Sequence, residues 1–130
     1  MGKIKHIAIR THDPAKTAAF YRQAFGLAQV GQGKNGVYLS DGHINLAILT
    51  LRPAAEGETM KIGLDHFGVQ VENVEEAVNR IKALGGNALL SRDDAGTVDS
   101  SEPRSYFEIK CLGPDGQVID VSEGNWVGAD

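Results

Sequence analysis

An α+β fold of two βαβββ modules, with a curved mixed sheet around a cup-shaped pocket and helices outside, is the architecture this sequence predicts. Three observations predict it. The chain repeats itself when His6 is laid on His66, a helix with readable end signals follows at the same place in each repeat, and the strands alternate an apolar side with a small or polar one.

The first strand of each repeat is read from Ile4-Lys5-His6-Ile7-Ala8-Ile9, which falls on Leu64-Asp65-His66-Phe67-Gly68-Val69. In the first helix Asp13 is the N-cap and Pro14 takes the first helical position, where a missing N–H costs nothing. Ala18, Tyr21 and Phe25 recur at helical spacing, and Gly26 is the stop. The second helix opens on Asn73 with Glu76 three residues on, a variant of the capping box. Its stripe is Val74, Ala77, Val78, Ile81 and Leu84, ended by Gly85-Gly86. Extended segments follow at Ala28–Gln32, Gly36–Ser40 and His43–Leu51 in the first half, and at Ala88–Ser91, Tyr106–Leu112 and Val118–Glu123 in the second. Asp41-Gly42 and Pro114-Asp115-Gly116 supply the tight turn before each last strand. A single domain is expected over 1–130, with module one at about 1–51, a linker at 52–61 and module two at about 62–126. The irregular stretch Arg92–Arg104 reads either as a lid or as a disordered loop.

Alternation sorts the strand faces. Ile7 and Ile9 oppose His6, Ala8 and Arg10; Phe67, Val69 and Val71 oppose His66, Gly68 and Gln70. In the later strands Ile44, Leu46 and Ile48 oppose His43, Asn45 and Ala47, while Phe107 and Ile109 oppose Tyr106, Glu108 and Lys110. Ile119 and Val121 oppose Val118, Asp120 and Ser122. One face therefore suits helix packing and the other suits a wet pocket. A solvent-facing sheet also alternates, but has no reason to place His at the same point of both repeats.

Bulk properties narrow the function classes. With 130 residues and a formal charge of −4, the chain can bury a real core without disulfides and has no electrostatic footprint for nucleic acid. No segment has the ~18 apolar residues a membrane span requires. Cys111 has no intrachain partner and reads as a small core residue. With no signal-peptide pattern at the N-terminus, the expected setting is the cytoplasm.

Taken in order, Ile4 to Ile9, Asp13, Phe20-Tyr21, Phe25-Gly26-Leu27, Leu64 to Val69, and Gly113-Pro114-Asp115-Gly116-Gln117-Val118-Ile119-Asp120-Val121 resemble the vicinal-oxygen-chelate superfamily, the glyoxalase, bleomycin-resistance and extradiol-dioxygenase group. The resemblance runs from Ile4 to about Trp126. It implies, for metal-using members, a His on the first strand of each module and carboxylates or amides from the last strands. His6 and His66 match those positions. Asp120 stands where the family usually has Glu, and Asn45 is the candidate for the remaining ligand, with His43 as its competitor. The implied cofactor is a divalent metal (zinc, nickel, iron or manganese), and the implied partners are a small-molecule substrate and a second copy in a homodimer.

Glu108 and Asp120 are the candidate catalytic carboxylates, Glu108 as an acid or base if burial raises its pKa, or else as half of a solvated pair with Lys110. Arg10 reads as an anchor for an anionic substrate group or as a surface salt bridge. His12 reads as a loop residue. Tyr106 and Trp126 read as pocket lining or oligomer interface. The expected function is lyase or epimerase chemistry on a carbonyl substrate, through an enediolate-like intermediate stabilised by the metal. An extradiol-type dioxygenase with iron and a metal-free antibiotic-binding protein are the alternatives.

Overall fold

The computed structural model describes residues 2–51, 61–90 and 108–130. The linker apart from Lys61, the Arg92–Arg104 loop, and Ser91, Tyr106 and Phe107 lie outside the described residues. The first module runs β1 (Lys3–Thr11), α1 (Pro14–Phe25), β2 (Ala28–Gly33), β3 (Gly36–Ser40) and β4 (Asn45–Thr50). The second runs β5 (Gly63–Gln70), α2 (Val74–Ala83), β6 (Asn87–Leu90), β7 (Glu108–Leu112) and β8 (Val118–Ser122). Both are βαβββ, as the repeat predicts. The chain divides into two compact units, one of Lys5–Asp65 with Trp126–Asp130 and one of Met1–Ile4 with His66–Asn125.

Each module's strands form a mixed arrangement with an open edge. In the first the order is β2-β3-β4-β1, with β1 and β4 parallel and the other pairs antiparallel. In the second it is β5-β8-β7-β6, with β5 and β8 parallel. The repeat extends to detail: the register slips between Gln29 and Gly31 in β2, and between Ala88 and Leu90 at the matching place in β6.

The helix ends follow from local chemistry. The Asp13 side chain accepts from the Lys16 N–H at 3.2 Å, and Gly26, at φ 71°, takes the left-handed conformation that stops α1 while its N–H bonds to the Arg22 carbonyl. Asn73 accepts from the Glu76 N–H at 2.9 Å. In α2 the acidic Glu75 and Glu76 sit in the first turn and the basic Arg80 and Lys82 in the last, which complements the helix dipole. A contact distant in sequence adds to this, because the Glu123 carboxylate accepts from the Val74 N–H at 2.9 Å.

Each helix covers an apolar core. Ala18 of α1 packs with Val37, Leu39 and Ile48, joined by Ile9, Tyr21, Leu27 and Leu46. Val74 and Val78 of α2 pack with Cys111 and Val121, joined by Ala77, Ile81, Ile109 and Ile119. These are the apolar faces read from alternation. Full burial of a side chain such as Leu39 or Ile48 contributes about 1.5–3 kcal/mol. Cys111 is fully buried, and burial followed by the nearby Asp120 charge pushes its thiol pKa up, as befits an inert core residue.

β4 begins two residues later than expected, at Asn45 rather than His43. Asp41 Oδ1 accepts the N–H groups of both His43 and Ile44, at 2.9 and 2.8 Å, and so draws those donors into the turn and away from the ladder. Among the described residues no helix is long and apolar enough to cross a membrane.

Candidate metal centre

The first-module residues meet through strand register. His6 of β1 pairs directly with Asn45 of β4, and their side chains meet, His6 Nδ1 lying 2.7 Å from Asn45 Oδ1. Both residues are buried, at 5% and 1% exposure. Asn45 Nδ2 donates to the Val127 carbonyl at 2.7 Å, which fixes the amide with its oxygen toward His6. An amide oxygen only accepts, so the His6 Nδ1–H donates to it. The indole of Trp126 stacks on the His6 ring, centroids 4.9 Å apart and planes within 4°. Trp126 thus supports an imidazole of the candidate ligand set.

The second module supplies a charged cluster. His66 Nε2 lies 2.9 Å from Asp120 Oδ2, and Lys110 Nζ donates to Asp120 Oδ1 at 2.6 Å. Lys110 and Asp120 face each other across β7 and β8. The side chains of His66 and Asp120 are 6% and 4% exposed, whereas that of Lys110 is 35% exposed. Burial by itself disfavours the Asp120 carboxylate. The hydrogen bond from His66 and the Lys110 ammonium outweigh it and hold its pKa well below the ordinary carboxylate range.

Each module thus presents ligand atoms of low exposure, an imidazole from His6 in the first and an imidazole with a carboxylate, His66 and Asp120, in the second. Two imidazoles and a carboxylate can chelate a divalent ion of the borderline class. The protonated Nδ1 of His6, held by Asn45, is the orienting contact that metal-ligating imidazoles ordinarily have, so the residues present fit such an ion.

Other sequence candidates fall elsewhere. His43 lies in the turn before β4 with its side chain 75% exposed, its Nδ1 3.0 Å from the Asp130 carboxylate. His12 is exposed. Glu108 is half-buried in β7, across from Ser122 and two residues from Lys110. Arg10 is neither free nor on the surface: its side chain is 10% exposed, Nη1 donates to the Thr50 carbonyl at 2.9 Å, and Nε lies 3.6 Å from Asp65 Oδ2.

The registers also show which residue corresponds to Asp120. Asp120 pairs with Gly68, and Gly68 falls on Ala8 when the repeats are aligned on their histidines. The partner of Ala8 is Ala47. The first-module equivalent of the carboxylate position is therefore an alanine, and Asn45 is the direct neighbour of the histidine. Sequence reading missed Lys110 as the partner of Asp120. The available signal was alternation, which puts Lys110 on the polar face of its strand.

A profile of the Glyoxalase/Bleomycin resistance protein/Dioxygenase superfamily matches residues 3–121. The chain belongs to this superfamily. No curated protein matches it, but solved structures share the vicinal-oxygen-chelate fold. A hypothetical protein from Bacillus halodurans C-125 is 17% identical, with a TM-score of 0.68 over 96% of each chain. A Streptomyces coelicolor methylmalonyl-CoA epimerase, in complex with 2-nitronate-propionyl-CoA, is 19% identical, with a TM-score of 0.64 over 92% of this chain and 95% of that one. The 2,3-dioxygenase LapB from Pseudomonas sp. KL28 is also 19% identical, with a TM-score of 0.66 over 98% of this chain and 42% of that one. At these identities the likeness concerns the fold.

Proposed function

We propose that the chain is a metal-dependent small-molecule enzyme of lyase or epimerase type acting on a carbonyl substrate, with a divalent ion held by His6, His66 and Asp120. The observation that carries this reading is the buried side-chain pair of His66 and Asp120, 2.9 Å apart, in a module whose repeat lays His66 on His6. When bound, such an ion supplies Lewis-acid polarisation of a substrate oxygen. The side chains do the rest. Asn45 accepts the His6 Nδ1–H, which would leave Nε2 as the ligating nitrogen, a positioning role that engages its amide at both ends. Asp120 stays ionised and serves as the anionic ligand. Glu108, half-buried on the polar side of β7, is the group assigned to move the substrate proton.

Elemental analysis of protein purified without chelator tests the proposal, together with His6→Ala, His66→Ala and Asp120→Asn. One equivalent of a divalent ion is expected in the parent and a loss in each variant. No bound ion, with ligand binding indifferent to EDTA and to His6→Ala, would instead identify a metal-free binding protein.

A second reading is favoured by one observation. With the Asn45 amide engaged and alanine at the Asp120-equivalent position, two imidazoles and one carboxylate match the facial arrangement of non-haem iron oxygenases. Oxygen uptake with a catechol, dependent on ferrous iron, distinguishes this dioxygenase from the lyase or epimerase. A homodimer in the cytoplasm completes the proposal, and sedimentation equilibrium checks the dimer.

A further inference from the structure

We propose that Lys110 is a placeholder cation, whose ammonium neutralises the buried Asp120 carboxylate and withdraws when a divalent ion takes that carboxylate as its ligand. This rests on the metal-dependent reading above. Three observations in the second module support it. Lys110 Nζ lies 2.6 Å from Asp120 Oδ1, a short charge-assisted contact, while Oδ2 faces His66. Asp120 is the anionic member of the ligand set proposed above and is paired with His66, the other member from this module. The burial of the pair is unequal, since Asp120 is 4% exposed and Lys110 35% exposed.

Charge and mobility together give the inference its direction. An ammonium beside the one anionic ligand repels an incoming dication, and that repulsion is strong where little water screens it. Withdrawal of the partly exposed lysine would not strand its charge, whereas the buried carboxylate would need a new cation. Here the carboxylate alone is enclosed. The lysine has a flexible four-carbon stem and a partly exposed side chain, so it can move its charge into water as the ion enters. Lys110 is thus a positioning residue that acts on the metal through Asp120. It keeps the carboxylate paired until metal arrives and sets the threshold concentration at which metal binds.

The test is calorimetric titration of the full chain with Zn²⁺, comparing the parent with Lys110→Met, Lys110→Arg and Asp120→Asn, with melting curves in EDTA and at saturating Zn²⁺. Lys110→Met is expected to bind Zn²⁺ at least tenfold tighter than the parent. It should melt lower than the parent in EDTA and close to it at saturating Zn²⁺, because preferential binding to the folded state offsets the lost pair. Lys110→Arg should bind no tighter than the parent, and Asp120→Asn should lose binding. Lys110→Gln, which keeps an N–H donor without the charge, replaces Lys110→Met if the latter does not fold. If the parent binds Zn²⁺ and the neutral variants bind it equally or more weakly, Lys110 is a structural partner and the inference is overturned, while the metal reading stands. If neither the parent nor the folded neutral variants bind Zn²⁺ or any other divalent ion, both fall.

Discussion

Replacing Asn45 by alanine should loosen His6 and weaken both the fold and metal binding. Asn45 is 1% exposed and makes two side-chain contacts of 2.7 Å, one with His6 Nδ1 and one with the Val127 carbonyl. Alanine removes both. A hydrogen bond of this kind contributes about 1 kcal/mol net, whereas a buried donor left without a partner costs about 1–3 kcal/mol. The stranded donor is the His6 Nδ1–H, on a residue 5% exposed, while Val127 is 49% exposed and its carbonyl can turn to water. Together these give a loss of roughly 2–4 kcal/mol. At roughly 3–4 °C per kcal/mol for a chain of this length, the melting temperature should fall by about 6–16 °C. Loss of the group that orients a ligating imidazole should also weaken metal binding by about 10–100-fold. Urea unfolding measures the first effect, and Zn²⁺ titration of the folded variant measures the second. A stability loss under about 1 kcal/mol with unchanged Zn²⁺ affinity would refute the assignment of Asn45 as the residue that orients His6.

Further outcomes follow from other contacts. A Cβ at Gly36 would run into the Ile48 carbonyl in the neighbouring strand, so Gly36→Ala should cost about 2 kcal/mol or more in urea unfolding through a forced backbone shift; a neutral result would mean that β3 and β4 are not so closely apposed. Asn73→Ala should cost about 1 kcal/mol through loss of the α2 cap, and Glu123→Ala should destabilise further by releasing the Val74 N–H; far-UV circular dichroism during unfolding follows both. The Asp41 carboxyl is held below its ordinary pKa by the N–H groups of Ile44 and His43. A depressed carboxylate contributes stability that is present above its unfolded pKa and is lost as pH falls through the folded one. Asp41→Asn keeps an acceptor without titrating, so the stability gap between parent and variant should shift in the variant's favour as pH is lowered below about 4. Parallel urea midpoints at several pH values check this, and a gap independent of pH would contradict it.

Much of the fold was legible because its signals are local. Asp13-Pro14 and Gly26 bound α1 at the residues read from sequence, and Asn73 caps α2, since capping depends on atoms within one turn. Alternation likewise sorted Leu46, Ile48, Ile109 and Val121 onto the cores. The repeat singled out His6 and His66, the family resemblance singled out Asp120, and the structure pairs His66 with Asp120 at 2.9 Å. The start of β4 was misjudged because the two hydrogen bonds of Asp41 compete with the ladder, and hydrophobic pattern does not record that competition.

By itself the sequence determined the elements and their helix-facing sides, because these are written in spacings of two to four residues or in the repeat, and the repeat together with the family resemblance supplied the three metal-ligand candidates. Only the tertiary structure decided that Asn45 turns its oxygen to His6, that Trp126 stacks on that ring, that Lys110 rather than solvent neutralises Asp120, and that Glu123 reaches the start of α2. Those pairings join residues far apart in the chain. They are set by strand register and by where the C-terminal segment docks, which no local pattern specifies, because a shift of one residue exchanges every side chain for its neighbour on the opposite face.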